Sequence, residues 1–341
     1  MNNILDYDLE QLQAVMADRG EKPFRAKQMY EWLHVKLVTD FKEMTNISAK
    51  LQQEMAQAYE IQTLKMLRKQ VSKQDGTTKF LWELSDGNTI ESVWLPYHHG
   101  NSVCISTQVG CRMGCGFCAS TVGGLVRSLH VSEMLAQIYE IQRITGERVS
   151  HIIAMGMGEP FDNYENVVRF IRMITDEKGL HISARNITVS TCGLVPQIYR
   201  FAKENLAVTL ALSLHAPTDA LRSSMMPVAK KYSLEEIMKA CREYVLQAGR
   251  RVTFEYSMVD GINDTVEHAK QLCSLIKGIN CHVNLIPLNP VKGRMGARSV
   301  QAHVEAFKTV LEKNHIQVTV RREMGSDIDA ACGQLRQKEI H

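Results

Sequence analysis

The chain has 341 residues, 45% of them hydrophobic and 23% charged, with a formal net charge of +3. That length and balance suit one large globular domain of barrel size, or a mid-sized domain with an appendage, and exclude a disordered or strongly charged chain. No apolar run approaches the roughly 20 residues of a membrane span, and the first ten residues lack the basic-then-apolar order of a secretory signal, so a cytoplasmic protein with no membrane partner is expected.

In chain order, residues 1–60 read as short amphipathic helices. Leu9, Leu12, Val15 and Met16 share one face, the run Phe24 to Val35 follows Pro23, and Ser48 precedes a helical stretch to Tyr59. A small helical cap is expected there. Residues 61–97 change to strands separated by Asp75-Gly76 and Asp86-Gly87, dipeptides that favour tight hairpin turns, so an antiparallel ribbon should link cap to body. This ribbon carries Lys65, Arg68, Lys69, Lys73 and Lys79 with only Asp75 opposing them within the same stretch. A polyanion-binding surface and an ordinary solvated strand face both fit that pattern.

From residue 98 to about 325, six strand-like runs near 103–107, 151–155, 186–190, 207–213, 251–257 and 282–286 alternate with helical patterns. Such alternation predicts a parallel sheet with helical crossovers, either open or rolled into a barrel. Six units fall short of the eight of a complete barrel, so the expected fold is α/β: an incomplete (β/α)6 barrel with the cap and ribbon attached. Residues 326–341 show little periodicity and form a C-terminal segment carrying Cys332.

Nine cysteines without an export signal read as metal ligands, catalytic thiols or small core residues rather than disulfides. Cys111-Arg-Met-Gly-Cys115-Gly-Phe-Cys118 puts three thiols in eight residues of glycine-rich loop, a density that binds metal. Structural zinc wants four ligands, usually as two separated pairs, and no partner pair is evident. Three ligands to a four-iron cluster instead leave one iron open. The cysteine loop follows the first strand, Gly156-Met-Gly-Glu-Pro160 follows the second and Ser190 ends the third. Ser213 to His215 ends the fourth and Asn289 lies past the sixth, so all fall on the carboxyl-terminal face where barrel enzymes carry their chemistry.

Cys-x-x-x-Cys-x-aromatic-Cys, with Phe117 in the aromatic position, resembles the cluster motif of the radical S-adenosylmethionine (SAM) superfamily. Longer stretches resemble one subfamily, the RlmN-type and Cfr-type RNA adenine methyltransferases: Gln108–Thr121, Gly156–Pro160, Ala211–Pro217, Pro287–Pro290 and Asp327–Leu335. The resemblance covers nearly the whole chain. It implies a 4Fe-4S cluster on Cys111, Cys115 and Cys118, and two SAM molecules per turnover, one of which yields a 5′-deoxyadenosyl radical. Gly158 and Glu159 are implied at the cofactor's amino end, Ser190 at its ribose, and Ser213, Leu214, His215 and Asn289 around the rest. Taken singly, Gly158 could only turn the chain and His215 only satisfy a backbone group.

The resemblance also gives Cys332 the role of methyl acceptor, which suits the chemistry, because an adenine ring carbon is too poor a nucleophile to take a methyl cation directly. It makes Cys104 a second thiol that forms a disulfide with Cys332 on product release. Glu91 matches the family's proton acceptor, and a surface strand carboxylate is an equally natural reading of it. The implied substrates are 23S rRNA (C2 of adenosine 2503) and tRNA (adenosine 37), with Cfr-type C8 methylation the alternative, and the implied electron donor is a flavodoxin. No obligate protein partner is evident. A reading of another class is a non-catalytic RNA-binding module with a structural metal. Cys241, Cys273 and Cys281 are expected in the core, as are Met155, Met157, Met225 and Met226, while Cys192 is undecided.

Overall fold

The computed structural model describes residues 2–98 and 100–335; Met1, His99 and the end of the C-terminal segment, residues 336–341, lie outside the described residues. Asp8 opens helix α1 (Leu9–Ala17) by accepting from Gln11 N, while the Gln11 side chain accepts from Asp8 N. Pro23 starts α2 (Pro23–His34), where its missing N–H costs no helical bond, and the Ser48 hydroxyl caps α3 (Ala49–Ala58). Their buried faces, including Leu12 and Met16, Met29 and Leu33, Leu51 and Met55, join the same apolar core as the sheet and its helices.

The body is a sheet of ten strands: β1 (Lys65–Val71), β2 (Thr78–Glu83), β3 (Thr89–Leu95), β4 (Asn101–Cys104), β5 (Val149–Ala154), β6 (Ile187–Thr191), β7 (Thr209–Ser213), β8 (Val252–Met258), β9 (Cys281–Pro287) and β10 (Gln317–Val320). Each strand pairs with the one before it in the chain, so spatial order and chain order coincide. Pairs from β1 to β4 are antiparallel, and those from β4 to β10 are parallel. The parallel crossovers carry α4 (Val131–Thr145), α5 (Tyr164–Thr175), α6 (Val195–Ala202), α7 (Asp219–Met225), α8 (Leu234–Ala248), α9 (Val266–Leu275) and α10 (Gln301–Lys313). No helix among the described residues is long and apolar enough to cross a membrane.

Three features depart from the sequence reading. The ribbon is no separate linker, because β3 hydrogen-bonds to β4 and extends the barrel sheet. A seventh parallel strand, β10, follows the six expected; its four residues alternate between exposed and half-buried, too short a pattern to stand out from a loop. Lys79 does not join the basic face: it is 2% exposed and paired with buried Glu91 at 3.4 Å.

After β10 the chain crosses to the opposite edge of the sheet. Asp75 accepts from Gly325 N at 3.0 Å, Lys73 N donates to Asp327 at 3.0 Å, and Lys79 Nζ donates to the Asp329 carbonyl at 3.0 Å. The segment that carries Cys332 is thus fastened to the hairpin between β1 and β2.

The cap rests on α4, where His34 Nδ1 meets the Tyr139 hydroxyl at 2.7 Å and Arg143 donates to the Leu37 carbonyl at 2.6 Å. Burial lowers the His34 pKa from 6.5 to about 3, so the folded protein holds it neutral. The unfolded chain takes up that proton below pH 6.5 and the folded chain does not until about pH 3, so stability present above pH 6.5 is lost as pH falls through this window. His34→Gln should flatten the fall of Tm between pH 6.5 and 4, followed by circular dichroism; a slope as steep as that of the unmutated protein would exclude His34 as a source of the acid sensitivity.

Candidate active site

The carboxyl ends of the parallel strands surround a cavity of about 950 Å³. Beyond β4 the chain forms a hairpin, Gln108–Gly110 with Leu125–Ser128, whose far end is the cysteine loop. At Gly110, with φ of +73°, a Cβ would lie 2.0 Å from the Gly124 carbonyl oxygen, so only glycine lets these strands close. Cys111 N donates to that same Gly124 carbonyl, Gly116 N donates to Met225 O, and Arg294 Nη2 donates to Cys115 O, each at 2.8 Å. These bonds turn Cys111, Cys115 and Cys118 into the cavity, beside a small apolar cluster that contains Met225, Met226 and Leu288.

Burial raises the pKa of all three thiols, to about 12 for Cys111, so in this dry pocket they ionise only against a bound cation. Among the described residues the one set of three His, Cys, Asp or Glu ligand atoms within 4.8 Å of one another is Asp260, Asp264 and His303. Cys111, Cys115 and Cys118 line one cavity together, and three thiolate ligands leave one iron of a four-iron cluster open.

The opposite wall holds most of the remaining candidates. Gly158 has φ of +104°, and a Cβ there would lie 2.6 Å from Gln108 Cβ and 2.9 Å from Gln108 N. Glu159 is buried, with its carboxylate accepting from Phe161 N and from Cys192 N at 2.8 Å. Burial raises its pKa and these bonds oppose the rise. Ser190 and Ser213, on neighbouring strands, bring their hydroxyls within 3.3 Å. His215 accepts from Ser257 N through Nδ1, and burial lowers its pKa to about 3, so it stays neutral. Leu214 is not brought to the cavity; its side chain lies in the core and its amide donates to Glu255 O.

A second cavity of about 640 Å³ lies on the ribbon side of the first, lined by Val93 and Leu95 of β3 and by Cys104. Cys332 lines both cavities. Its backbone is held by Asn289 Nδ2, which donates to Cys332 O at 3.3 Å, and by Ala119 N, which donates to Gly333 O at 2.8 Å. Asn289 Oδ1 is buried without a partner among the described residues, an acceptor left open at the cavity wall. Burial pushes the Cys104 pKa up to about 12, the Cys332 charge adds to the rise and Arg321 opposes it. Glu91 lines neither cavity; strand alternation places it on the face of Val93 and Leu95, one step beyond them.

Arg321, Arg222 and Glu255 escape sequence reasoning, whereas Cys192 is left undecided by it and Met155 is expected in the core. Arg321 lines both cavities, with Nη1 3.8 Å from Glu255 Oε2 and 3.7 Å from Met155 Sδ. The Cys332 charge, then Glu255, Cys104 and Tyr97, raises its pKa against burial. Cys192 lines the first cavity, and buried Arg222 donates to Cys192 O at 2.6 Å and to Leu214 O at 3.1 Å. A signal existed for Glu255, the lone acid in the otherwise uncharged run Val252–Met258. Met155 lines both cavities rather than only filling core.

The cysteine loop at the carboxyl-terminal rim of a parallel sheet defines a radical SAM enzyme, and comparison with known proteins agrees. Residues 105–273 match the Radical SAM superfamily, and residues 2–61 match the "Ribosomal RNA large subunit methyltransferase N-terminal domain". A relative from Lachnoclostridium phytofermentans, named "Probable dual-specificity RNA methyltransferase RlmN", is 61% identical over 328 residues, 96% of this chain and 92% of that one. A relative of the same name from Lachnospira eligens is 58% identical, covering 99% of this chain and 97% of its own. The crystal structure of a radical SAM methyltransferase from Sphaerobacter thermophilus superposes with a TM-score of 0.94 at 42% identity, over 99% of this chain and 100% of that one. The chain belongs to the RlmN family of dual-specificity RNA methyltransferases.

Gly158→Ala should lower stability by about 1–3 kcal/mol, because it forces both a clash with Gln108 and a strained φ. Thermal unfolding checks this, and SAM binding by calorimetry should fall with it. Unchanged stability would show that the turn tolerates a side chain.

Proposed function

We propose that this enzyme methylates C2 of adenine in RNA, namely adenosine 2503 of 23S rRNA and adenosine 37 of tRNAs, with Cys332 as the methyl carrier. The observation that carries the reading is the place of Cys332: it is the one thiol among the described residues that lines both the cavity of the three clustered cysteines and the cavity of Cys104. The donor set fits the implied groups. Cys111, Cys115 and Cys118 would hold a 4Fe-4S cluster, and the Ser190 and Ser213 hydroxyls, the turn at Gly158-Glu159, His215 and the open acceptor of Asn289 would receive SAM. When bound, that pair of groups supplies methyl transfer from one SAM molecule and, on one-electron reduction, hydrogen abstraction through a second.

The chain's own residues do the rest. Cys332 Sγ takes the methyl group; after that group has lost a hydrogen atom its carbon bonds to C2 of the base, and the adduct gives up one electron, which the cluster would take back, and its C2 proton, which Cys104 receives. The Cys104 thiolate then attacks Cys332 Sγ, the electron pair of the carbon–sulfur bond stays with the carbon, which is protonated to the product methyl group, and a cytoplasmic reductant restores both thiols from the disulfide. A flavodoxin is a suitable donor for the single electron. The names of the relatives favour this reading over C8 methylation.

RNA would be held along β1, whose Lys65, Arg68 and Lys69 are exposed on the edge of the sheet. Replacing all three with alanine should weaken RNA binding and reduce its salt slope by about 2–3, with deoxyadenosine formation in the absence of RNA unchanged. An unchanged slope would show an ordinary solvated edge.

Paired thiol variants test the mechanism. Cys332→Ala should keep its iron yet form neither methylated RNA nor a covalent complex. Cys104→Ala should accumulate a covalent enzyme–RNA adduct that resists thiol reductants on a denaturing gel. RNA methylation by Cys332→Ala, or unimpaired turnover by Cys104→Ala, would refute the two-thiol scheme.

A further inference from the structure

Lys79 presents a charge that the cavity chemistry does not use. Its side chain and that of Glu91 are 2% and 3% exposed, and an ammonium so deep in a sheet needs a structural reason. Cross-strand pairing places Lys79 opposite Val93 and Val93 opposite Cys104, so the three form one row on the same face of β2, β3 and β4. The ammonium stands in the layer that holds Cys104, two strand spacings away, or roughly 10 Å. From there Nζ reaches Glu91 Oε1 at 3.4 Å and donates to the Asp329 carbonyl at 3.0 Å.

Asp329 lies three residues before Cys332 and holds a left-handed φ of +51°. For a residue with a Cβ that conformation costs about 1 kcal/mol or more, so neighbouring contacts must enforce it. The bond from Lys79 falls on the carbonyl of that very residue. Other contacts hold the two ends of the strap, Asp75 with Gly325 before it and Ser120 with Leu335 after it. Between them, Lys79 joins the thiol-bearing turn to the inner face of the sheet.

We propose that the Lys79–Glu91 pair is a buried latch that sets the position of Cys332 over the cofactor cavity, Lys79 binding the strap and Glu91 holding Lys79 in place. Both are positioning residues. Glu91 acts in this latch as counter-ion to Lys79. This inference rests on the proposed role of Cys332 as methyl carrier.

The latch makes a distinctive pattern of mutant effects. Removing one member of a buried pair leaves the other charge uncompensated, whereas removing both with residues of similar shape is far less harmful. K79M and E91Q should each lower the fraction of Cys332 that carries a methyl group about tenfold, read by mass spectrometry of the full-length protein, and K79M/E91Q, in which no charge is left uncompensated but the bond to the Asp329 carbonyl is still missing, should stay as low as K79M. Lys79→Arg, which keeps the charge, should retain methylation. In K79M, iron content and deoxyadenosine formation without RNA should stay unchanged, which general unfolding would not allow. Should K79M not fold, K79M/E91Q, which leaves no buried charge unpaired, poses the same question, and Cys332 methylation at the unmutated level there overturns the latch.

Two further results overturn the latch: full Cys332 methylation in K79M, or E91Q that is fully methylated on Cys332 and stalls as an RNA adduct, the behaviour of a lost proton acceptor. Failure of the methyl-carrier reading is separately visible as absence of methylated Cys332 in the unmutated protein. The latch is then decided by the rate at which iodoacetamide alkylates Cys332, which should rise about tenfold in K79M and in the double variant alike. Rates equal to that of the unmutated protein in both would refute it.

Discussion

A parallel sheet that rolls only part of the way round must be closed by something other than a strand. Strand order here runs without interruption from β1 to β10, and its two ends, a basic antiparallel edge and a short parallel one, do not pair with each other. The chain closes the gap with the segment after β10, fastened by side chains to backbone at Asp75, Asp327 and Lys79. Side-chain bonds of this kind fix a few points and leave the backbone between them irregular. That suits a segment whose thiol must sit at the junction of two cavities, and it explains why Cys332 lies on no helix or strand.

Closure by a strap also settles where charge is buried. On one flank Lys79 faces Glu91, and on the other Arg321 faces Glu255, so the thiol segment runs between two cation–anion pairs drawn from β2, β3, β8 and the end of β10. Glu255 is tied further, since Asn284 donates to its carboxylate at 2.9 Å and Thr319 donates to Asn284 at 2.7 Å. A ladder of polar side chains thus crosses three strands, from buried Glu255 to exposed Thr319. Such networks add little net stability once desolvation is counted, but they specify geometry, which an apolar lining would not.

The chemistry-bearing loops were legible because their residue types are rare and their spacing is tight: three cysteines in eight positions, a glycine-rich turn after β5, and one serine, Ser190 or Ser213, at the end of each of two parallel strands. The alternation of runs revealed the barrel for the same reason, since buried parallel strands are continuous apolar stretches. What stayed hidden depends on partners distant in sequence. Lys79 looks like one more basic residue of the ribbon until Asp329, 250 positions later, arrives beneath it. Arg321 follows a strand too short to notice, and nothing local marks its approach to Glu255. Leu214 shows the converse, since its motif placed it at the cofactor while the strand's pleat turns its side chain into the core.

The arrangement of charge around Cys104 bears on the proposed chemistry. Burial is the main cause of its raised pKa, the Cys332 charge is the second, and Arg321 opposes both. Arg321 lines both cavities together with Cys332 and is held there by Glu255 at 3.8 Å. The guanidinium thus stands beside both of the thiols that the proposed mechanism pairs, and it offsets part of what burial costs the charged form of Cys104.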